Sequence, residues 1–191
     1  MGRPRQISDE QIIAAARRVF LEGGVKATVN EVARDLGVSH TALFARFGTK
    51  EALLVAAFAP PVSLPFTPVL RRGPDERSIR EQLRALAALF VRYFEELGQG
   101  WALLQAAGIS VEKVFAGRSR PSPLVAHRQL ERWVQRAQER GLLAVTDAGV
   151  FAWTFLGALH LRVFQAALRG GPARAPELET FVDLLLEGAA P

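Results

Sequence analysis

At 191 residues, with 49% hydrophobic and 23% charged side chains, the chain can bury a sizeable core and falls outside the disordered and fibrous classes. It has no cysteine, which excludes disulfide frameworks and thiolate metal sites. The net charge of +5 suits a polyanionic partner, yet the first 60 residues hold eight Lys/Arg against six Asp/Glu, so charge alone singles out no segment. The start, M-G-R-P-R-Q-I-S, lacks the apolar stretch of a signal peptide, and a cytoplasmic protein is expected.

Arg3 and Arg5 form a short basic arm placed to enter a minor groove. Ser8-Asp9-Glu10-Gln11 then reads as a capping box, and Ile12, Ala16, Val19 and Phe20 fall on one face of a helix that Gly23-Gly24 ends. From Thr28 to Phe47 the run T-V-N-E-V-A-R-D-L-G-V-S-H-T-A-L-F-A-R-F predicts two short amphipathic helices joined at a turn, the layout of a DNA-reading helix-turn-helix. Val32, Leu36, Val38, Leu43 and Phe47 supply the apolar contacts that crossed helices need, and Ala33 marks their closest approach. Gly37 suits a left-handed turn that costs other residues about 1 kcal/mol or more. Ser39 is positioned to cap the second helix. An ordinary helical hairpin has the same corner, so the flanks matter. Gly48 stops the second helix, and Thr49 caps a fourth through Leu53, Leu54 and Phe58.

Residues 7–58 resemble the DNA-binding head of the TetR (tetracycline-repressor-like) family of bacterial regulators. The run I-I-A-A-A-R-R-V-F-L-E-G-G from Ile12 is similar to that family's first helix. The run E-V-A-R-D-L-G-V-S-H-T-A-L-F-A-R-F-G-T-K-E-A-L-L from Glu31 is similar to its next three. Two positions depart: the family usually has tyrosine at Phe44 and commonly histidine at Arg46. The missing phenol removes a hydroxyl that often touches phosphate, while the Phe44 ring retains an apolar face for a thymine methyl. The resemblance implies an all-α fold of about nine helices: a helix-turn-helix DNA-binding domain at 1–58 and a helical ligand-binding and dimerisation domain at 59–191.

Pro60, Pro61, Pro65, Pro68 and Pro74 are expected to keep residues 59–75 free of helix as a hinge, with Ser78 or Asp75 starting the next element. Ile79, Leu83, Leu86, Phe90, Phe94 and Leu97 recur at helical spacing until Gly98 and Gly100, which are expected to break the helix. A short helix over 101–107 follows, and residues 108–123 give no decisive pattern. Further helices are predicted over 124–140, from Thr146-Asp147 to about Leu168, and over about 176–187. From Ala148 to Leu161 nearly every residue is apolar or small. A membrane span needs about 20 apolar residues, and His160, Arg162 and Gln165 interrupt this run, so no membrane partner is expected. A helix apolar all round must be buried on several sides. Packing with Leu178, Phe181, Val182, Leu185 and Leu186 against a second copy achieves that. The resemblance implies the same pair of C-terminal helices as a homodimer interface, and a twofold dimer implies a roughly palindromic double-stranded operator.

Ser39, His40, Thr41 and Phe44 are candidates for base edges, and Thr28, Arg46, Thr49 and Lys50 for phosphates. Ser39, Thr28 and Thr49 have a simpler role as caps. In the body, the resemblance places Phe90, Tyr93, Phe94, Trp101, Leu104, Gln105, His127, Phe151 and Phe155 on helices around a pocket for a mostly apolar small-molecule effector. Ordinary aromatic core is the plainer account of the same set. Tyr93, Gln105 and His127 are its more telling members, because buried polar groups need partners. The sequence shows no metal-ligand spacing, cofactor loop or nucleophile elbow, so neither an enzyme nor a cofactor is expected. The function expected is a sequence-specific transcriptional regulator, a repressor released by its effector. The alternative is a helical interaction protein that has lost DNA binding.

Overall fold

A computed structural model describes residues 7–60, 64–116, 123–169 and 175–187 of the chain, and among these the fold is all-α, with ten helices and no strand. The described chain forms two compact units, Met1–Pro60 with Leu97–Ser119, and Pro61–Glu96 with Arg120–Pro191.

The first unit opens with α1 (Asp9–Gly23), where Ser8 Oγ accepts from the Gln11 N–H at 3.3 Å and Gln11 Oε1 accepts from the Ser8 N–H at 3.0 Å. The expected capping box is therefore present. A 3-10 turn (Gly24–Lys26) leads to α2 (Val29–Leu36), α3 (His40–Phe47) and α4 (Lys50–Phe58). Ile12, Ala16, Phe20, Val32, Ala33, Leu43, Leu53 and Leu54 close a common core. Leu104, Ile109 and Val114 complete it from residues expected in the body.

Three sequence expectations change here. Gly98 and Gly100 do not break the helix: α6 runs unbroken over Ile79–Ala106. A helical glycine costs only about 1 kcal/mol relative to alanine. Gly100 also has a packing reason, since a Cβ there would lie 3.1 Å from the Phe58 carbonyl oxygen and 3.2 Å from its Cβ. The proline-rich stretch is not wholly irregular, because α5 spans Thr67–Arg72 with Pro68 in its first turn. That turn needs no donor from proline, so the ring does no harm there. Residues 108–123, left undecided above, contain the short α7 (Val111–Phe115), capped by Ser110.

The second unit takes α5, the first part of α6, α8 (Pro123–Glu139), α9 (Ala148–Leu168) and α10 (Ala175–Glu187). Ser78 starts α6, its hydroxyl donating to Glu81 Oε2 at 2.6 Å. Asp147 caps α9, accepting from the Val150 N–H at 2.8 Å. Trp133, Phe66, Phe90 and Phe155 are the large buried side chains of this core. Phe151, Phe155, Leu156, Leu159 and Val163 bury one side of α9. The other side leaves Val150, Trp153, Leu161, Phe164 and Leu168 half to three-quarters exposed. The helix is long and apolar enough to cross a membrane by length and composition, but its inward face already belongs to a protein core.

Leu104 is fully buried in the core of the first unit. Truncating a buried leucine removes transfer free energy and leaves a cavity, so Leu104→Ala should lower unfolding free energy by about 2–5 kcal/mol. Urea denaturation checks this; a shift comparable to that of a surface substitution would detach residues 97–119 from the head core.

Candidate nucleic-acid interface

The corner between α2 and α3 is set by Gly37, which sits at φ 68° and ψ 33° with open space around its α-carbon. The left-handed conformation alone therefore demands glycine, as expected. Its N–H bonds back to the carbonyls of Ala33 and Arg34, closing α2. Ser39 Oγ then accepts from the Ala42 N–H at 3.2 Å, starting α3.

Only Leu43 of α3 is fully buried, while Phe47 is half-buried against the same core. His40, Thr41, Ala42, Phe44, Ala45 and Arg46 all face outward. On that free face the His40 and Phe44 rings contact each other, with centroids 4.2 Å apart and planes tilted by 43°. The i,i+4 spacing makes them one aromatic step on the helix surface. Base-edge candidates Ser39, His40, Thr41 and Phe44 thus share the start and the outward side of one short helix.

The phosphate candidates are all engaged within the protein. Thr28 caps α2 in a second capping box: its Oγ accepts from the Glu31 N–H at 3.3 Å, and Glu31 Oε2 accepts from the Thr28 N–H at 2.6 Å. Thr49 caps α4, accepting from the Ala52 N–H at 3.0 Å. Arg46 donates to the Ile7 carbonyl and, at 3.2 Å, to Asp9 Oδ1. Lys50 donates to the Val25 carbonyl at 2.6 Å and lies over the Phe20 ring, 5.6 Å from its centroid. An ammonium carries three donors, so that bond leaves two for other acceptors. Sequence reasoning missed these cation–carbonyl ties, and spacing gives no signal for them. Arg3 and Arg5 lie outside the described residues.

A groove of about 480 Å³ along α1 and α2 is lined by Glu22, Glu31 and Asp35 against Arg34. That lining repels a polyanion.

The nine effector candidates divide between the units. Trp101, Leu104 and Gln105 lie in the first, with Leu104 buried, Trp101 packed beside it and Gln105 exposed. Phe90, Tyr93, Phe94, His127, Phe151 and Phe155 lie in the second. Phe90 and Phe155 are fully buried with ring centroids 6.3 Å apart, and Phe151 and Phe94 extend the cluster at 6.2 Å on either side. Burial raises the Tyr93 phenol above its usual range. His127 meets its own hydrogen-bonding need: Nε2 lies 2.9 Å from the Gly149 carbonyl, and the ring stacks on Trp153 at 4.4 Å. Also on α9, His160 lies with its ring centroid 5.1 Å from that of Phe94, and Arg162 lies over Phe181. No group of three or more His, Asp or Glu among the described residues is placed to hold a metal.

Residues 12–57 match the family model described as bacterial regulatory proteins, tetR family. Over 145 residues the chain is 29% identical to the HTH-type transcriptional repressor BdcR of Escherichia coli (strain K12), covering 69% of this chain and 72% of that protein. It is similar in structure to the TetR transcriptional regulator SCO0520 of Streptomyces coelicolor, with a TM-score of 0.66 and 26% identity over 96% of this chain and 99% of that one. A TetR/AcrR-family regulator from Thermobifida fusca gives a TM-score of 0.67 and 25% identity over 95% and 98% of the two chains.

The α2 capping box yields a pH dependence. The Thr28 N–H, then the Thr28 hydroxyl, holds the Glu31 carboxyl below its ordinary 4.5. Because the folded-state value is the lower one, ionised Glu31 stabilises the head fully above that ordinary value and loses this as pH falls through the folded value. Glu31→Gln keeps an acceptor without charge. Its melting temperature should sit below wild type at neutral pH and converge with it as acidification carries the pH through the folded-state value. Thermal melts across that range check the sign; a gap that widens toward acid contradicts it.

Proposed function

We propose that this chain is a regulator of the TetR family, whose model matches residues 12–57, and that α3 reads the major groove of a roughly palindromic operator. The chain is a DNA-binding transcriptional regulator, a reading the family match supports over that of an interaction protein without DNA binding. The observation that carries the proposal is the face of α3: Leu43 anchors it inward while His40, Thr41 and Phe44 stand free. In this reading Ser39, His40, Thr41 and Phe44 meet base edges, and the Phe44 ring packs on a thymine methyl. Thr28, Arg46, Thr49 and Lys50 meet phosphates, with Arg3 and Arg5 as a minor-groove arm. The DNA-binding domain is 1–58, and 59–191 bind ligand and dimerise, with residues from Trp101 to Phe115 packing into the head core.

Regulators of this family bind DNA and small-molecule effectors and act as dimers. We assign the dimer surface here to the outward stripe of α9 with α10, where Leu161, Phe164, Leu168 and Leu184 are more than half exposed. A twofold pairing buries that stripe and presents two reading helices to half-sites about 34 Å apart. The effector is a mostly apolar small molecule in the second unit, against Tyr93, Phe94, His127 and Phe151, with Phe90 and Phe155 behind them. It releases a repressor by binding the DNA-free state more tightly, by the same free energy that DNA binding loses. The protein works in the cytoplasm, without enzymatic chemistry.

Footprinting with the intergenic DNA beside its own gene tests the assignment: an inverted repeat should be protected in a salt-dependent manner. Phe44→Ala should weaken binding to that repeat by about tenfold or more while leaving nonspecific binding nearly unchanged. Equal losses on both DNAs would remove Phe44 from base reading. Phe164→Glu places a charge in the proposed interface and should give a monomer in sedimentation. A variant that remains dimeric would move the interface elsewhere.

A further inference from the structure

Five arginines of the second unit pair with an acid: Arg77 with Asp75, Arg80 and Arg84 with Asp183, Arg92 with Glu96, and Arg140 with Glu76. Four others, on α5 and α8, have none. The guanidiniums of Arg71 and Arg72 at the end of α5, and of Arg128 and Arg132 on the outward face of α8, are exposed and make no hydrogen bond or ion pair among the described residues. Arg71 and Arg132 face a common groove of about 390 Å³, together with Arg136, Gln129, Gln135 and Glu139.

The groove is organised around a third cation. Arg136 donates through Nη1 to the Arg71 carbonyl at 2.9 Å, through Nη2 to the Leu70 carbonyl, and through Nε to the Arg132 carbonyl at 3.3 Å. It thereby covers the carbonyl end of α5, the end of a helix that would otherwise repel an anion. Gly73 makes room for it, since a Cβ there would stand 3.4 Å from the Arg136 guanidinium carbon. Gln129 is fixed as well: its side-chain oxygen accepts from the Thr67 hydroxyl at 2.9 Å, so its NH₂ is left with donors to offer. Three guanidiniums face a single carboxylate, Glu139. Positive charge is gathered here in excess of the protein's own negative charge.

We propose that the groove between α5 and α8 binds a phosphate group, with Arg71 and Arg132 as its forks, the Gln129 amide as a further donor and Arg136 as a fixed cation behind them. The excess of two positive charges matches a phosphate monoester, which carries about −1.5 to −2 at neutral pH, better than a carboxylate. Planar guanidiniums suit its oxygens in paired hydrogen bonds. The groove volume lies within the range of small-molecule sites, about 300–1,000 Å³, so the phosphate can belong to a larger molecule. The same chemistry can come from a free phosphorylated compound or from a DNA backbone. The inference goes beyond the operator-reading role and does not depend on it.

The test titrates the full chain with inorganic pyrophosphate by calorimetry at low ionic strength, comparing wild type, Arg71→Gln/Arg132→Gln and, as a control, Arg92→Gln. The wild type and the control should bind pyrophosphate alike, and the double variant about tenfold or more weaker. Circular dichroism melts verify that the double variant folds, and Arg132→Gln alone serves if it does not. The salt dependence of DNA binding separates the sources. An unchanged slope in the double variant assigns the groove to a free phosphorylated ligand, whereas a slope lower by about two units assigns it to DNA phosphates. Wild-type protein that takes up no pyrophosphate, or equal weakening in double variant and control, overturns the site whether or not the chain protects a palindrome.

Discussion

An isolated helix shorter than about 12–15 residues is marginal in water, and α3 has eight. Its order must come from outside itself, and the structure supplies it at three points. Leu43 anchors the helix in the head core, Ser39 satisfies its first turn, and the left-handed glycines Gly37 and Gly48 fix the chain before and after it. Nothing else of α3 is fully buried. That economy is what frees the outward side: had the helix needed a broad apolar stripe for stability, His40, Thr41 and Phe44 would have been spent on packing. The DNA-reading role proposed for α3 therefore rests on Phe20, Val32 and Leu54 in the head core as much as on the residues exposed upon the helix.

A second theme runs through both units. Cationic side chains are used as partners for backbone carbonyls rather than held in reserve as surface charge. Arg17 reaches the Ala57 carbonyl near the end of α4, Lys50 that of Val25 in the 3-10 turn, Arg46 that of Ile7 ahead of α1, Arg136 those of Leu70 and Arg71, and Arg140 that of Pro74. Helix ends leave carbonyls without intrahelical partners, and a guanidinium satisfies them while complementing the negative end of the helix. Few lysines and many arginines suit this use. It also explains why the unanswered arginines on α5 and α8 stand out.

Local signals were the legible ones. The capping box at Ser8, the caps at Thr28, Ser39, Thr49 and Asp147, and the left-handed turn at Gly37 are all settled within four residues, so residue type alone reveals them. The glycines of α6 were misread because their effect depends on distant chain: Gly100 serves Phe58, forty-two positions earlier. Pro68 misled in the opposite way, as a breaker that is harmless in a first turn. The effector set was legible as aromatic, but not its division. Leu104 and Phe90 share a helix and lie fourteen residues apart, yet they belong to the cores of different units. Periodicity assigns a face to a residue, not the body that the face meets.

The charge of the head bears on how the proposed dimer works. Of the six cations described in residues 7–60, Arg18 pairs with Asp35, and Arg17, Arg46 and Lys50 are tied to carbonyls, which leaves Lys26 and Arg34 unengaged. Each phosphate contact contributes affinity through counterion release, so the contacts proposed for Arg46 and Lys50 share those cations with their carbonyl partners. Joining two such heads turns the second binding step into an intramolecular one at millimolar effective concentration, which raises affinity by about 10²–10⁴ without a new contact. In the proposed dimer, occupancy then depends on the spacing of the two heads as well as on charge. On that proposal a change of separation between the two reading helices releases the operator, and the apolar stripe of α9 serves DNA recognition alongside the face of α3.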